Sequence, residues 1–131
     1  MMVTSPTMGA VVFAKDVARV GAFYAAITGL AVTRTEPGWM LLESPAYQLV
    51  VHGIPEDIAA DIDIKRPPVR REDTAVKLIF AVPSLASARK QAERLGGAVD
   101  PPEREWEFGA QRVCDGHDPE GNVIQLRQTA P

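Results

Sequence analysis

The chain has 131 residues, a formal net charge of −3, 46 % hydrophobic residues and 24 % charged residues. That length suits one domain able to bury its own core without covalent staples. The acidic balance argues against nucleic acid as a partner, because such binding draws on clustered cations, and no apolar run reaches the roughly 18 residues of a membrane-spanning helix. The one local basic cluster, Lys65 to Arg71, is broken by Pro67 and Pro68 and followed by Glu72 and Asp73, so it reads as a solvated linker. Cys114 is the only cysteine, which excludes an intrachain disulfide. The opening MMVTSPTMGA has neither a basic start nor an apolar stretch, so no secretory leader is expected and the expected location is the cytoplasm.

In chain order, the first signal is the β-branched run Gly9–Ala14, short enough for a strand. Asp16 follows as a helix N-cap, because its carboxylate can accept from the free N–H groups of a first turn. Val17, Val20, Phe23, Tyr24 and Ile27 recur at helical spacing. Gly29 ends that helix, where a left-handed residue is wanted. Strand-like pieces follow at Ala31–Thr35, Trp39–Glu43 and Tyr47–His52, with turns at Gly38 and Ser44-Pro45. The order of this first module, residues 8–53, is βαβββ.

Residues 54–74 form a long, proline-bearing, charged connection that wraps the surface or carries a short helix at Glu56–Asp61. The second module, residues 75–128, repeats the order. Val76–Val82 reads as its strand and Ser84 as its N-cap. Leu85, Ala88, Ala92 and Leu95 form the helical stripe, and Gly96-Gly97 the stop. Strand-like pieces follow at Ala98–Asp100, Glu105–Cys114 and Asn122–Arg127, the last two joined by the turn Asp118-Pro119-Glu120-Gly121-Asn122. Asp16 and Ser84 differ by 68 positions, as do Gly29 and Gly97, which reads as an internal duplication.

Alternation sorts the strand faces. Ile124 and Leu126, and likewise Leu49 and Val51, should pack on the helices. Gln125 and Arg127, with Gln48, Val50 and His52, then face the other, concave side. An apolar concavity with a few polar groups is the usual form of a small-molecule site.

The runs VVFAKDVARVGAFYAAITGL and DGHDPEGNVIQL, set in a duplicated βαβββ pattern, resemble the opening and the closing hairpin of the vicinal oxygen chelate superfamily, which includes glyoxalases, bleomycin-resistance proteins and dioxygenases. The resemblance implies an α+β fold of two βαβββ modules whose curved mixed sheets surround a cleft. It also implies that the cleft forms either within one chain or across a homodimer. Metal-dependent members carry ligands on the opening and closing strands of each module. The matching positions here are Ala10, Val50 (Gln48 if the register is two residues off), Leu78 and Gln125. The neighbours Gly9, Val11, Lys77 and Ile79 supply no His or Glu either. A divalent ion needs about three charged or imidazole ligands, so neither metal nor other cofactor is expected.

The candidate ligand-contacting residues are Gln125, Arg127, His52, Gln48, Trp39, Trp106 and Phe80. Gln125 and His52 bring polar groups, Arg127 a cation for an anionic group, and the aromatics flat surfaces for stacking. Against these stand plainer structural roles: rim position for His52, core packing for Trp39, Trp106 and Phe80, and internal pairing for Gln125 and Arg127. Cys114 and His117 have a Cys-x-x-His spacing, but a zinc site needs two more ligands, so Cys114 reads as a packed strand residue and His117 as a turn residue. Three readings stand side by side. The first is metal-independent binding or sequestration of a small molecule. The second is a lyase, isomerase or dioxygenase of the same superfamily. The third is a module whose concave face binds a peptide.

Overall fold

The computed structural model describes residues 6–129. Residues 1–5, part of the stretch in which a leader was sought, lie outside them. Strand β1 (Gly9–Ala14) runs into helix α1 (Val17–Thr28), followed by β2 (Ala31–Glu36), β3 (Trp39–Ser44) and β4 (Tyr47–Gly53). The connection carries the short helix α2 (Glu56–Ala59). The second half follows with β5 (Leu78–Ala81), α3 (Leu85–Arg94), β6 (Ala98–Val99), a 3-10 turn (Pro102–Arg104), β7 (Trp106–Phe108), β8 (Gln111–His117) and β9 (Val123–Thr129). Sheet 1 has the order β1-β4-β3-β2, and sheet 2 the order β5-β9-β8-β6 with β7 paired to β8. In both sheets the opening strand runs parallel to the closing strand, and the remaining pairings are antiparallel.

The helix ends form for the expected reasons. The Arg19 N–H donates to the Asp16 carboxylate at 3.1 Å, and the Ser87 N–H to the Ser84 hydroxyl at 3.1 Å. Gly29 stops α1 at φ 72°. In the second half the left-handed glycine is Gly96, at φ 92°. The helix start therefore repeats at 68 positions and the left-handed stop at 67 (96 − 29). Gly97 answers a different need: a side chain there would collide with the Phe23 ring and the His117 carbonyl.

One core holds both halves together. Val20, Phe23, Tyr24 and Ile27 of α1 join Leu49 and Val51 of β4, Phe80 of β5, Ala88 and Ala92 of α3, and Ile124 and Leu126 of β9. The turn between β8 and β9 locks the halves to each other. Buried Asp118 accepts from the Tyr24 hydroxyl at 2.7 Å and from the Asn122 amide at 2.8 Å. Buried Glu120 accepts from the Lys15 and Asp16 N–H groups at 2.8 and 2.7 Å.

Three readings of the second half are corrected. The stretch Glu105–Cys114 is not one strand: it turns at Gly109, at φ 57°, and β7 folds back antiparallel on β8. The opening strand starts at Leu78 rather than Val76. Arg71 of the connection takes the bridge beside Asn122, the place on the edge of β9 that an earlier start would need. His117 closes β8 as a buried strand residue instead of lying in the turn.

Candidate functional site

Each sheet has one side covered by the core and one side left open. On sheet 1 the register sets Val11 beside Val50 and Phe13 beside His52. It also sets Trp39, Leu41 and Glu43 opposite His52, Val50 and Gln48. These residues share the open side. Gln48 donates through Nε2 to Glu43 at 3.0 Å, and the Thr33 hydroxyl donates to the same carboxylate at 3.0 Å. His52 is exposed at the end of β4, with Nδ1 2.9 Å from the Gly53 carbonyl and its ring edge-on to Phe13 at 5.8 Å. The half-buried Trp39 carries the Arg34 guanidinium 5.2 Å above its ring.

On sheet 2, Ile79 lies beside Gln125 and Ala81 beside Arg127. Asp115 and Val113 stand opposite them on β8, and Trp106 and Phe108 extend the same side on β7. A polar chain crosses this face. Gln125 donates through Nε2 to Asp115 at 3.3 Å and accepts from Arg127 Nε at 2.8 Å. Arg127 also donates to Gln111 at 3.2 Å and covers the Phe108 ring at 4.8 Å. Lys77 pairs with the other Asp115 oxygen at 2.8 Å. Trp106 is 40 % exposed and Phe108 59 % exposed, so stacking surface is available to a flat molecule.

The expected residues are thus gathered on two faces. Gln48, His52 and Trp39 sit on sheet 1; Gln125, Arg127 and Trp106 sit on sheet 2. Among the described residues no hydrogen bond or ring contact joins the two sets. Phe80 is a correction. It lies on the covered side of β5, 4 % exposed, between the rings of Tyr24 at 5.4 Å and Tyr47 at 6.1 Å, because alternation turns it away from Gln125. Asp115, Gln111 and Phe108 are the contributors that the sequence reading missed.

Two of the positions matched to metal ligands lie on the covered side. Ala10 and Leu78 pack against the core, so the open-face neighbours of Val50 and Gln125 are Val11 and Ile79. The four facing positions are therefore Val11, Val50, Ile79 and Gln125. Among the described residues no three His, Cys, Asp or Glu side chains cluster as a metal site would require. Cys114 and His117 fall on opposite sides of β8: Cys114 stands opposite core Leu126, and His117 opposite Val123. Burial pushes the Cys114 thiol above its ordinary value, against the nearby Arg89 cation, which makes it a poor nucleophile.

The profile of the glyoxalase-like domain family matches residues 9–127. No curated protein matches the chain. Solved structures share the fold. A glyoxalase/bleomycin resistance protein from Albidiferax ferrireducens superposes with a TM-score of 0.66 at 18 % identity, over 92 % of this chain and 95 % of its own. A glyoxalase/bleomycin resistance protein/dioxygenase family enzyme from Burkholderia phytofirmans gives 0.63 at 16 % identity, over 92 % and 96 %. TnmS3, an antibiotic binding protein from Streptomyces sp. CB03234, gives 0.61 at 20 % identity, over 99 % and 100 %. With two sheets of four and five strands and a family match across nearly its whole length, the chain belongs to the glyoxalase-like domain family of the vicinal oxygen chelate superfamily.

Proposed function

We propose that this chain is a cytoplasmic binding protein that holds a small organic molecule against the open faces of its two sheets, without a metal ion, and that it works as a homodimer. It is read as a single domain of two modules, residues 8–53 and 75–128, joined by 54–74. The observation that carries the proposal is the content of the four facing positions. Val11, Val50 and Ile79 can donate nothing to a cation, and Gln125 offers a neutral amide already engaged with Asp115 and Arg127. A catalytic divalent ion generally needs about three protein ligands. The same faces offer what a ligand uses: aromatic area at Trp39, Trp106 and Phe108, a cation at Arg127, and amides at Gln48 and Gln125. The similarity to an antibiotic-binding protein is consistent with this reading. No helix of the described chain is long and apolar enough to cross a membrane.

Metal analysis of tag-free protein, with and without added Zn²⁺, Mn²⁺, Fe²⁺ and Ni²⁺, tests the proposal, with thermal melts run on a panel of planar and anionic small molecules. The expected result is no stoichiometric metal, no metal-dependent rise in Tm, and ligand shifts that Gln125→Ala and Trp106→Ala diminish. One metal ion per chain, lost on chelation, would overturn the reading and move the protein to the enzymes of its superfamily.

A further inference from the structure

The duplication leaves two grooves beside the edge strands β1 and β5. They are counterparts, since Val11–Phe13 in one and Ile79–Ala81 in the other lie 68 positions apart. The groove at β5, about 460 Å³, is neutral: its polar groups include the Tyr47 and Ser44 hydroxyls, and it holds no charged side chain. The groove at β1, about 310 Å³, is lined by Val11, Phe13, Val76 and Val123, and also by Arg71 and Thr74 of the connection. A second hollow of about 310 Å³, also lined by Arg71, contains Arg70 and Lys77 together with Glu72 and Asp115. Those two cations are committed, Arg70 to Asp100 at 2.5 Å and Lys77 to Asp115 at 2.8 Å. Among the described residues no hydrogen bond or ion pair engages the Arg71 guanidinium.

The Arg71 backbone is anchored: it bridges to Asn122, and its N–H donates to the Gly121 carbonyl at 2.8 Å. Gly121 allows this approach, because any side chain there would collide with the Val69 carbonyl. The connection is thus held on the β8–β9 turn, and Arg71 lines both hollows. Beside it, Val11 is 55 % exposed, Phe13 56 % and Val76 70 %.

The geometry points to a binding site for an amphipathic organic carboxylate: the carboxylate pairs with Arg71 while a short apolar body covers Val11, Phe13 and Val76. Arginine suits this role because its planar fork matches a carboxylate's two oxygens. The apolar walls lower the local dielectric and strengthen the pair relative to open water. The groove volume lies at the small end of ligand sites, roughly 300–1,000 Å³, which favours a medium-chain acid over a large planar drug. The site shares Val11 and Phe13 with the open face of sheet 1 but takes its charge from Arg71 and not from Gln125 or Arg127, so variants of Arg71 and Arg127 distinguish it from the function proposed above.

Isothermal titration with octanoate, octylammonium and 1-octanol tests it. Octanoate should bind the wild-type chain, and the two analogues should bind at least about tenfold more weakly, as expected for one charge-assisted pair. Arg71→Ala should weaken octanoate by about tenfold or more, Arg71→Lys should restore part of the loss, and Arg71→Glu should reverse the preference toward octylammonium. Unchanged thermal melts would confirm that the variants remain folded. Tyr47→Phe, in the neutral counterpart groove, should leave octanoate binding as it is. Equal binding of all three probes, wild-type affinity in Arg71→Ala, or no octanoate binding by the wild-type chain would each overturn the site. Loss of octanoate binding in Arg127→Ala but not in Arg71→Ala would also overturn it, while leaving the open-face reading in place.

Discussion

Glu105 ties three elements together with one carboxylate. It accepts from Arg89 of α3 at 2.6 Å and from Arg112 of β8 at 2.8 Å, beside the 3-10 turn that precedes it. Burial pushes its carboxyl up, but the hydrogen bonds from Arg112 and Arg89 outweigh burial and leave it below the ordinary value. A carboxyl depressed in the folded state adds stability that is present above the unfolded value, about 4.3, and is lost as pH falls through the folded value. Glu105→Gln keeps the shape and removes the charge. Because Arg112 is a third exposed and screened by solvent, the cost at neutral pH should be about 1–2 kcal/mol. Urea titrations at neutral pH and near pH 3 check this: the gap between wild type and variant should shrink in acid, and a gap independent of pH would refute the charge argument.

At the scale of elements, the glycines that end the helices separate two physical causes. Gly29 has a left-handed backbone and open space around its Cβ position, so Gly29→Ala should cost about 1 kcal/mol from backbone strain alone. Gly97 has no such backbone requirement but faces the Phe23 ring and the His117 carbonyl. Gly97→Ala should therefore overpack the junction and cost more, about 1–3 kcal/mol, with chemical denaturation giving the ranking. If Gly29→Ala proved the more harmful, crowding at Gly97 would not be what holds that residue.

The same contrast explains what could be read from the chain alone. Caps, apolar stripes and the repeated βαβββ order are local signals, and α1, α3 and sheet 1 follow them closely. The failures occur where a distant partner decides. Val76 and Lys77 look like strand, but Arg71 already occupies the edge of β9. The turn at Gly109 lacks a strong turn dipeptide, so β7 and β8 merged into one segment that ended at Cys114. Asp115 then fell beyond the strand, and the polar chain from Lys77 through Asp115 and Gln125 to Arg127 stayed out of view. The family resemblance points to Ala10 and Leu78, one residue from the open face. Only strand register against β4 and β9 identifies Val11 and Ile79.

At the scale of the whole molecule, the covered sides of the sheets share one core while the open sides remain partly bare. Phe13, Ile79 and Phe108 are each at least half exposed, on faces that also carry buried Leu41 and Val113. Apolar area gathered on sheet faces, rather than scattered singly, marks an interaction surface. Pairing the open side of sheet 1 with sheet 2 of a second chain would bury that area and bring Gln48 and His52 toward a partner's copy of the Gln125–Arg127 chain. Light scattering after size exclusion should then give twice the 14.2 kDa of the single chain. Phe13→Glu and Phe108→Glu, on opposite partners of the same contact, should each shift the population toward the single-chain mass, because a buried, unpaired carboxylate is strongly disfavoured. A small molecule gripped by both faces should lose affinity in both variants together. A wild-type chain that elutes at 14.2 kDa and binds its ligand normally would show instead that each chain supplies a complete site by itself.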